Sequence, residues 1–119
     1  MSKTNNIVDI IEAGIRTESL RQKAIANNLA NLQTPGYRRL DVKFKELLAK
    51  ALDSSGAVDL SQIKPQIYNP KNTQVKSNGN DVSLEVEIGE MVKNTLHHKA
   101  YIRLLQKKYR QIELAINLK

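Results

Sequence analysis

Two heptad patterns, one near each end of the chain, constrain the fold more than any other feature of the sequence. In the first, Val8, Ile11, Ile15, Glu18, Gln22, Ile25, Leu29 and Leu32 follow alternating steps of three and four, and six of the eight are apolar. In the second, Leu84, Ile88, Met91, Thr95, His98, Ile102, Leu105, Tyr109, Ile112 and Ile116 repeat that spacing, with eight of ten apolar. Such spacing lines up side chains along one stripe of an α-helix, the seam of a coiled coil. At a rise of about 1.5 Å per residue, residues 7–32 would span roughly 39 Å and residues 84–116 roughly 50 Å. In a chain of 119 residues, little can cover stripes of that length except each other and neighbouring molecules. The expected fold is mainly all-α: an elongated antiparallel hairpin of long N- and C-terminal coiled-coil helices, with a short third helix and an extended, partly irregular middle connection. A two-helix hairpin covers only part of a wide apolar stripe, so the pattern also points to a subunit of an assembly.

Local signals place the element ends. Thr34 precedes Pro35, and the residue before a proline is pushed out of the α conformation, so the first helix must stop there. Pro35 and Gly36 supply the fixed φ and the permissive positive φ of a type II turn, with Tyr37 placed to fold its ring back on the helix end. DVKFKELLAKAL reads as the short helix, with Asp41 as cap and Phe44, Leu47, Leu48 and Ala51 on its apolar side. Residues 53–81, with Pro65, Pro70, Gly56, Gly79 and many Ser, Asn and Gln, read as a connection with a strand pair at 66–68 and 73–76. Asn78, Gly79 and Asn80 turn into the last helix, capped by Asp81 or Ser83, and Glu85, Glu87 and Glu90 place negative charge where the helix dipole favours it. The expected boundaries, all within one domain, are a helix over 5–33, the TPGY turn at 34–40, a short helix over 41–53, a connection over 54–81 and a helix over 82–118.

Composition excludes several kinds of chemistry. There is no Cys, hence no disulfide framework, thiolate metal site or Cys nucleophile. His97 and His98 are adjacent, about 100° apart on a helix, and cannot chelate one metal together. No Gly-rich phosphate loop, HExxH or nucleophile motif is present, so no catalytic, cofactor-binding or metal residue is assigned and the chain reads as a non-enzyme. No apolar run approaches the ~20 residues of a membrane span, and the start, broken by Asp9 and Glu12, lacks the apolar core of a signal peptide. By those signals alone the chain reads as cytosolic. The net charge of +7 lies toward the two ends; it suits a nucleic acid or acidic protein partner, although a basic helix face is most often simply solvated.

Two polar features interrupt the pattern. Both seams soften midway, at Glu18/Gln22 and Thr95/His98. Polar seam residues commonly fix register, and these turns are expected to mark the register between subunits. Asn27, Asn28 and Asn31 crowd the last turns of the first helix, although asparagine competes with the helix for backbone hydrogen bonds. Amides carry donors and acceptors that can pair with another helix. The expectation is a polar patch offered to a neighbour, so that Asn28→Ala or Asn31→Ala keeps or raises monomer helicity while impairing assembly.

The stretch ANNLANLQTPGYRR resembles the N-terminal signature of the bacterial flagellar axial proteins of the rod and hook class. Ala26, Asn27, Asn28, Leu29, Ala30, Asn31, Thr34, Pro35, Gly36 and Tyr37 all fall on it. RQKAIANNLAN, LDVKFKELL, NDVSLEVE and LLQKKYRQIELAI resemble the proximal rod, or FlgB, type. The companion short FlgC type shares the turn motif, but its last helix usually carries an SRAYQ-like core where this chain has LHHKAYIRLL. The resemblance implies a structural subunit of the proximal rod that polymerises through its terminal helices, transmits torque and forms part of the export channel. Implied partners are further copies of itself, other rod proteins, the adapter joining the rod to the membrane ring, and the flagellar type III export apparatus. Nucleic acid and a direct membrane span are not implied. Export of an unfolded chain without a cleaved signal peptide would place it in the rod, in the periplasmic space, which replaces the cytosolic reading. It also implies a marginally folded monomer whose termini order on assembly. Ile11, Ile15, Ile25, Leu29 and Leu32 would then pair with Met91, Ile102, Leu105, Tyr109, Ile112 and Ile116 within the hairpin and across subunits. A basic nucleic-acid binder and a coiled-coil adaptor or export chaperone are the alternatives outside this class.

Overall fold

The computed structural model describes residues 3–46, 48–49 and 64–118. Helix α1 runs over Lys3–Ala30 and begins to unwind before the proline is reached. The Asn31 N–H is shared between the Asn27 and Asn28 carbonyls at 3.1 Å each, and Leu32 N–H reaches only back to Leu29 O at 3.3 Å. This three-residue tightening is how helix ends use up their last carbonyls, and it puts residues 31–33, expected in the helix, into a turn. Tyr37 N–H then donates to Thr34 O at 3.3 Å, with Gly36 at φ 75°, the type II geometry that needs glycine in its second central position.

Helix α2 spans Leu84–Asn117, and its N-cap is Ser83, whose hydroxyl accepts from Val86 N–H at 3.4 Å. Exposed Glu85 is held below the ordinary carboxylate range, first by its own backbone N–H and next by the Ser83 hydroxyl. Asp81, the other candidate cap, is used elsewhere.

The two helices lie antiparallel in a slab of 66 × 30 × 14 Å. Contacts run from Glu18 with Asn94, through Gly14 against Tyr101, to Glu12 with Tyr109. The side chains that α2 turns toward α1 are Glu87 and Asn94, both buried, then half-buried His97, Tyr101 and Leu105. This face lies one residue before most of the apolar series, about 100° around the helix. Leu84, Ile88 and Met91 are accordingly exposed in the single chain, as are Ile112 and Ile116 farther along α2, which corrects the expectation that Met91, Ile112 and Ile116 pair with α1 within the hairpin; Tyr109 keeps its hydroxyl on Glu12. The cause lies on α1. Buried Glu18 takes Asn94 Nδ2 on its backbone carbonyl at 2.7 Å and on Oε1 at 3.3 Å, and it pairs with Arg21. His97 Nδ1 lies 3.7 Å from the same carboxylate. Gly14 leaves a hollow for the Tyr101 ring, where an added Cβ would come within 2.6 Å of ring carbon. A buried carboxylate must be paired, and Asn94 does this only if α2 turns its polar side inward. Gln22, by contrast, is exposed.

The middle departs from the expected short helix. Asp41–Lys43 is a strand, β1, paired antiparallel with β2, Gln66–Tyr68, in the register Asp41 to Tyr68, Val42 to Ile67 and Lys43 to Gln66. Val42 and Phe44 are buried between less buried neighbours, the two-residue alternation of a strand. Lys43 Nζ sits 4.3 Å from the Tyr68 ring centroid, a diagonal cross-strand contact. Asp41 is thus a strand residue and no cap, and residues 66–68 pair with 41–43 where 73–76 was expected. Helical structure resumes only after Phe44, whose carbonyl accepts from Leu48 N–H at 2.8 Å. Leu47, Ala51 and the rest of 50–63 lie outside the described residues. Among the described residues, Ile11, Ala13, Ala24, Ile25, Val42, Phe44 and Val82 form the buried apolar core. It is thin, and the polar groups at the turn end carry much of the cohesion.

Candidate functional site

The asparagines at the end of α1 are the anchor of an intramolecular clasp. Asn28 is 0% exposed. Its Nδ2 donates to Leu40 O at 2.9 Å, and its Oδ1 accepts from Leu40 N–H at 2.8 Å and from the Tyr37 hydroxyl at 2.9 Å. A side-chain amide thereby pairs with the N–H and the C=O of one residue as a neighbouring strand would, holding the chain just before β1 against α1. Asn27 Nδ2 donates to the Tyr37 hydroxyl at 2.8 Å, so the ring does fold back on the helix end. The Tyr37 phenol is raised above its ordinary pKa chiefly by burial and stays a donor. Asn31 Nδ2 donates to Asn27 O at 2.8 Å, and its Oδ1 accepts from Thr34 Oγ1 at 3.1 Å.

A second asparagine, Asn80, locks the returning chain onto the same turn. Its Nδ2 donates to Asn31 O and Thr34 O, both at 2.8 Å, and its Oδ1 accepts from Val82 N–H at 2.7 Å. Two glycine turns cross here: Gly36 N–H donates to Asn78 O at 2.9 Å, and a Cβ on Gly79, which sits at φ 85°, would lie 3.3 Å from Gly36 Cα. Replacing Gly79 with alanine, which adds a left-handed strain of roughly 1–2 kcal/mol to that tight approach, is expected to lower the urea midpoint of unfolding.

A buried ion pair closes the clasp. Arg39 is 2% exposed and Glu87 0%, with Arg39 Nε donating to Glu87 Oε1 at 2.7 Å. Arg39 N–H donates to Asp81 Oδ1 at 2.6 Å, and its guanidinium reaches Asn72 Oδ1 at 3.3 Å and lies 3.9 Å from Asp41. Burial opposes the Arg39 charge, but the hydrogen bond and charge of Glu87, then Asp41 and Glu90, outweigh it and raise its pKa. Asn69 Nδ2 donates to Arg39 O at 2.9 Å, and Thr73 Oγ1 to Asp81 O at 2.5 Å. The end of α1, the start of β1, residues 69–73 and the entry to α2 are thus drawn to one point.

The expected site residues divide between this clasp and the helix faces. Asn27, Asn28, Asn31, Thr34, Gly36 and Tyr37 come together, while Ala26, Ala30 and Pro35 are exposed beside them. Ile11 and Ile25 are buried, and Ile15, Leu29, Leu32, Ile102 and Leu105 are half-buried. The expected neighbour-facing role of Asn28 is corrected, since its amide is spent within the chain. Arg39, Asn80, Asp81 and Glu87 were missed as clasp residues. Their signals were Arg39, the second of two arginines after the TPGY turn, the turn residue Asn80, the cap candidate Asp81, and Glu87 in the first turn of α2, which the helix dipole alone explains locally.

Among the described residues, no three His, Asp or Glu side chains gather as a metal ion would need, and no helix is long and apolar enough to cross a membrane. The geometry defines a class: a long helical hairpin, clasped at one end by polar groups, with an apolar flank on its second helix left uncovered. The profile of the family described as "Flagella basal body rod protein" matches residues 13–38, which hold Asn28 and the turn. The chain is 26% identical to flagellar basal body rod protein FlgB of Bacillus subtilis (strain 168) over 98% of this chain and 97% of that protein. It is 30% identical to FlgB of Aquifex aeolicus (strain VF5) over 70% of each. It is 28% identical to flagellar basal-body rod protein FlgG of Caulobacter vibrioides over 68% of this chain but 25% of that protein. The chain belongs to the flagellar basal body rod protein family.

Proposed function

We propose that this chain is a structural subunit of the proximal rod of the flagellar basal body, polymerising through its terminal helices to transmit torque and form part of the export channel. The observation that carries this reading is the uncovered flank of α2. Leu84, Ile88 and Met91, on one side of its first turns, are 45%, 46% and 43% exposed. A contiguous apolar flank marks a surface built for contact, and similarity to FlgB over nearly the whole chain supplies the kind of assembly. Its partners in this reading are other rod proteins, further copies of itself, the adapter to the membrane ring and the type III export apparatus. Export without a cleaved signal peptide brings it to the rod in the periplasmic space. The clasp sets where the hairpin ends, and the flank meets neighbours.

The test separates the two parts. Ile88→Glu with Met91→Glu changes exposed side chains only, so thermal stability of the isolated chain should move by no more than about 0.5 kcal/mol. The same variant should be lost from purified basal bodies and abolish motility. Normal incorporation would overturn the role of the flank. A tagged wild-type chain found solely in a cytoplasmic pool would favour the adaptor, and a salt-dependent shift with DNA the nucleic-acid binder.

A further inference from the structure

Asn78–Gly79 is the single Asn-Gly pair in the sequence, and it sits at the crossing of the two glycine turns. Asparagine before glycine is the pair most open to self-modification, because no side chain shields the following nitrogen. The Gly79 nitrogen attacks the Asn78 side-chain carbonyl carbon; a C–N bond forms, the bond to the amide nitrogen breaks, and ammonia leaves with the proton. Water then opens the cyclic imide at either carbonyl. Attack at one carbonyl gives aspartate and at the other isoaspartate, in which the main chain runs through the former side-chain carbon.

In the folded chain each participant is held. The attacking nitrogen donates its hydrogen to Lys76 O at 2.9 Å. Asn78 Oδ1 accepts from Asn80 N–H at 3.1 Å, and Asn78 O accepts from Gly36 N–H at 2.9 Å. Asn78 itself is exposed, so water reaches it freely and the restraint comes from the hydrogen bonds and the locked turn. Lys76 N–H closes the same loop onto Asn80 O at 2.8 Å, and Asn80 is buried in the clasp. Freeing the nitrogen therefore requires opening the clasp.

We propose that Asn78 is a spontaneous deamidation site gated by the clasp, reactive while the chain is open and protected once it has closed. The two products differ in consequence. Aspartate keeps an oxygen for Asn80 N–H and the same backbone length, so the clasp re-forms. Isoaspartate adds a methylene to the backbone between the Gly36 contact and Asn80, and the register of Asn80 on Asn31 and Thr34 is lost. Copies that linger open are thus converted in part to a form that cannot close.

The experiment incubates the full chain in mildly alkaline buffer across a urea series and follows aspartate and isoaspartate at position 78 by peptide mass mapping. The native rate should be at least tenfold below the denatured rate, the factor that about 1.4 kcal/mol of opening free energy gives, and it should rise with the open fraction. Asn28→Ala leaves the 76–80 turn untouched and should raise the rate in buffer toward the denatured one, whereas Asn78→Gln should silence the site. Equal rates in buffer and urea would overturn the proposal, as would an unchanged rate in Asn28→Ala. So would isoaspartate-bearing chains that refold with the wild-type urea midpoint.

Discussion

Asn28→Ala is expected to lower the unfolding free energy of the isolated chain by about 2–4 kcal/mol, read as a fall in urea midpoint with little change in slope. The substitution removes the hydrogen bonds to Leu40 N–H, Leu40 O and the Tyr37 hydroxyl. A typical hydrogen bond contributes a net ~0.5–1.5 kcal/mol, but a buried group left unpaired costs about 1–3 kcal/mol, and Leu40 would be left with both peptide groups facing a methyl. Alanine is the better helix former by roughly 0.5 kcal/mol, which offsets only a small part. At about 3–6 °C per kcal/mol for a chain of this size, thermal unfolding should shift clearly. Asn28→Asp is the informative companion. It keeps both acceptor contacts but loses the donor to Leu40 O and buries a charge, so it too should destabilise. If Asn28→Ala left stability unchanged and impaired only assembly, the amide would be serving a neighbour after all.

That reversal of expectation shows which parts of this molecule are legible in sequence. Local features were readable because their causes are local. Thr34–Pro35–Gly36–Tyr37 makes its turn with its own dihedrals, and Gly36 takes the positive φ; Ser83 caps α2 with its own hydroxyl. The two long helices were readable from spacing alone. What spacing does not say is what covers an apolar stripe. The series from Leu84 to Ile116 keeps a good heptad rhythm, yet α1 selects the neighbouring face through Glu18 and Gly14. One residue of rotation separates the two, and residues within α2 do not decide it. DVKF fits a helix start and a strand equally over four residues, and only its pairing with Gln66–Tyr68 decides. Asn28 was noticed but misassigned, because its partner Leu40 lies beyond the turn. Arg39 and Glu87 are 48 positions apart, and nothing local in either segment announces the other.

That pair carries the second large effect. Arg39→Met is expected to destabilise the chain by about 3–5 kcal/mol, the usual result of removing one partner from a buried ion pair. Glu87 would keep a fully buried carboxylate with no cation at 2.7 Å, and its Oε2 already has no hydrogen-bond partner. Glu87→Leu should cost less, since Arg39 retains Asn72 Oδ1 at 3.3 Å and Asp41 at 3.9 Å. The double variant Arg39→Met/Glu87→Leu is the decisive measurement. Buried ion pairs contribute little net stability once their desolvation is counted, so the double variant should recover most of the loss and show a coupling of about 2 kcal/mol or more. Urea unfolding of the three variants gives that number directly. Simple additivity of the single losses would mean that the Arg39 guanidinium acts through Asn72 and Asp41 rather than Glu87. Recovery of stability together with loss from purified basal bodies would mean that the ion pair holds α2 at the angle a neighbour requires, a constraint that apolar packing at the same place does not supply.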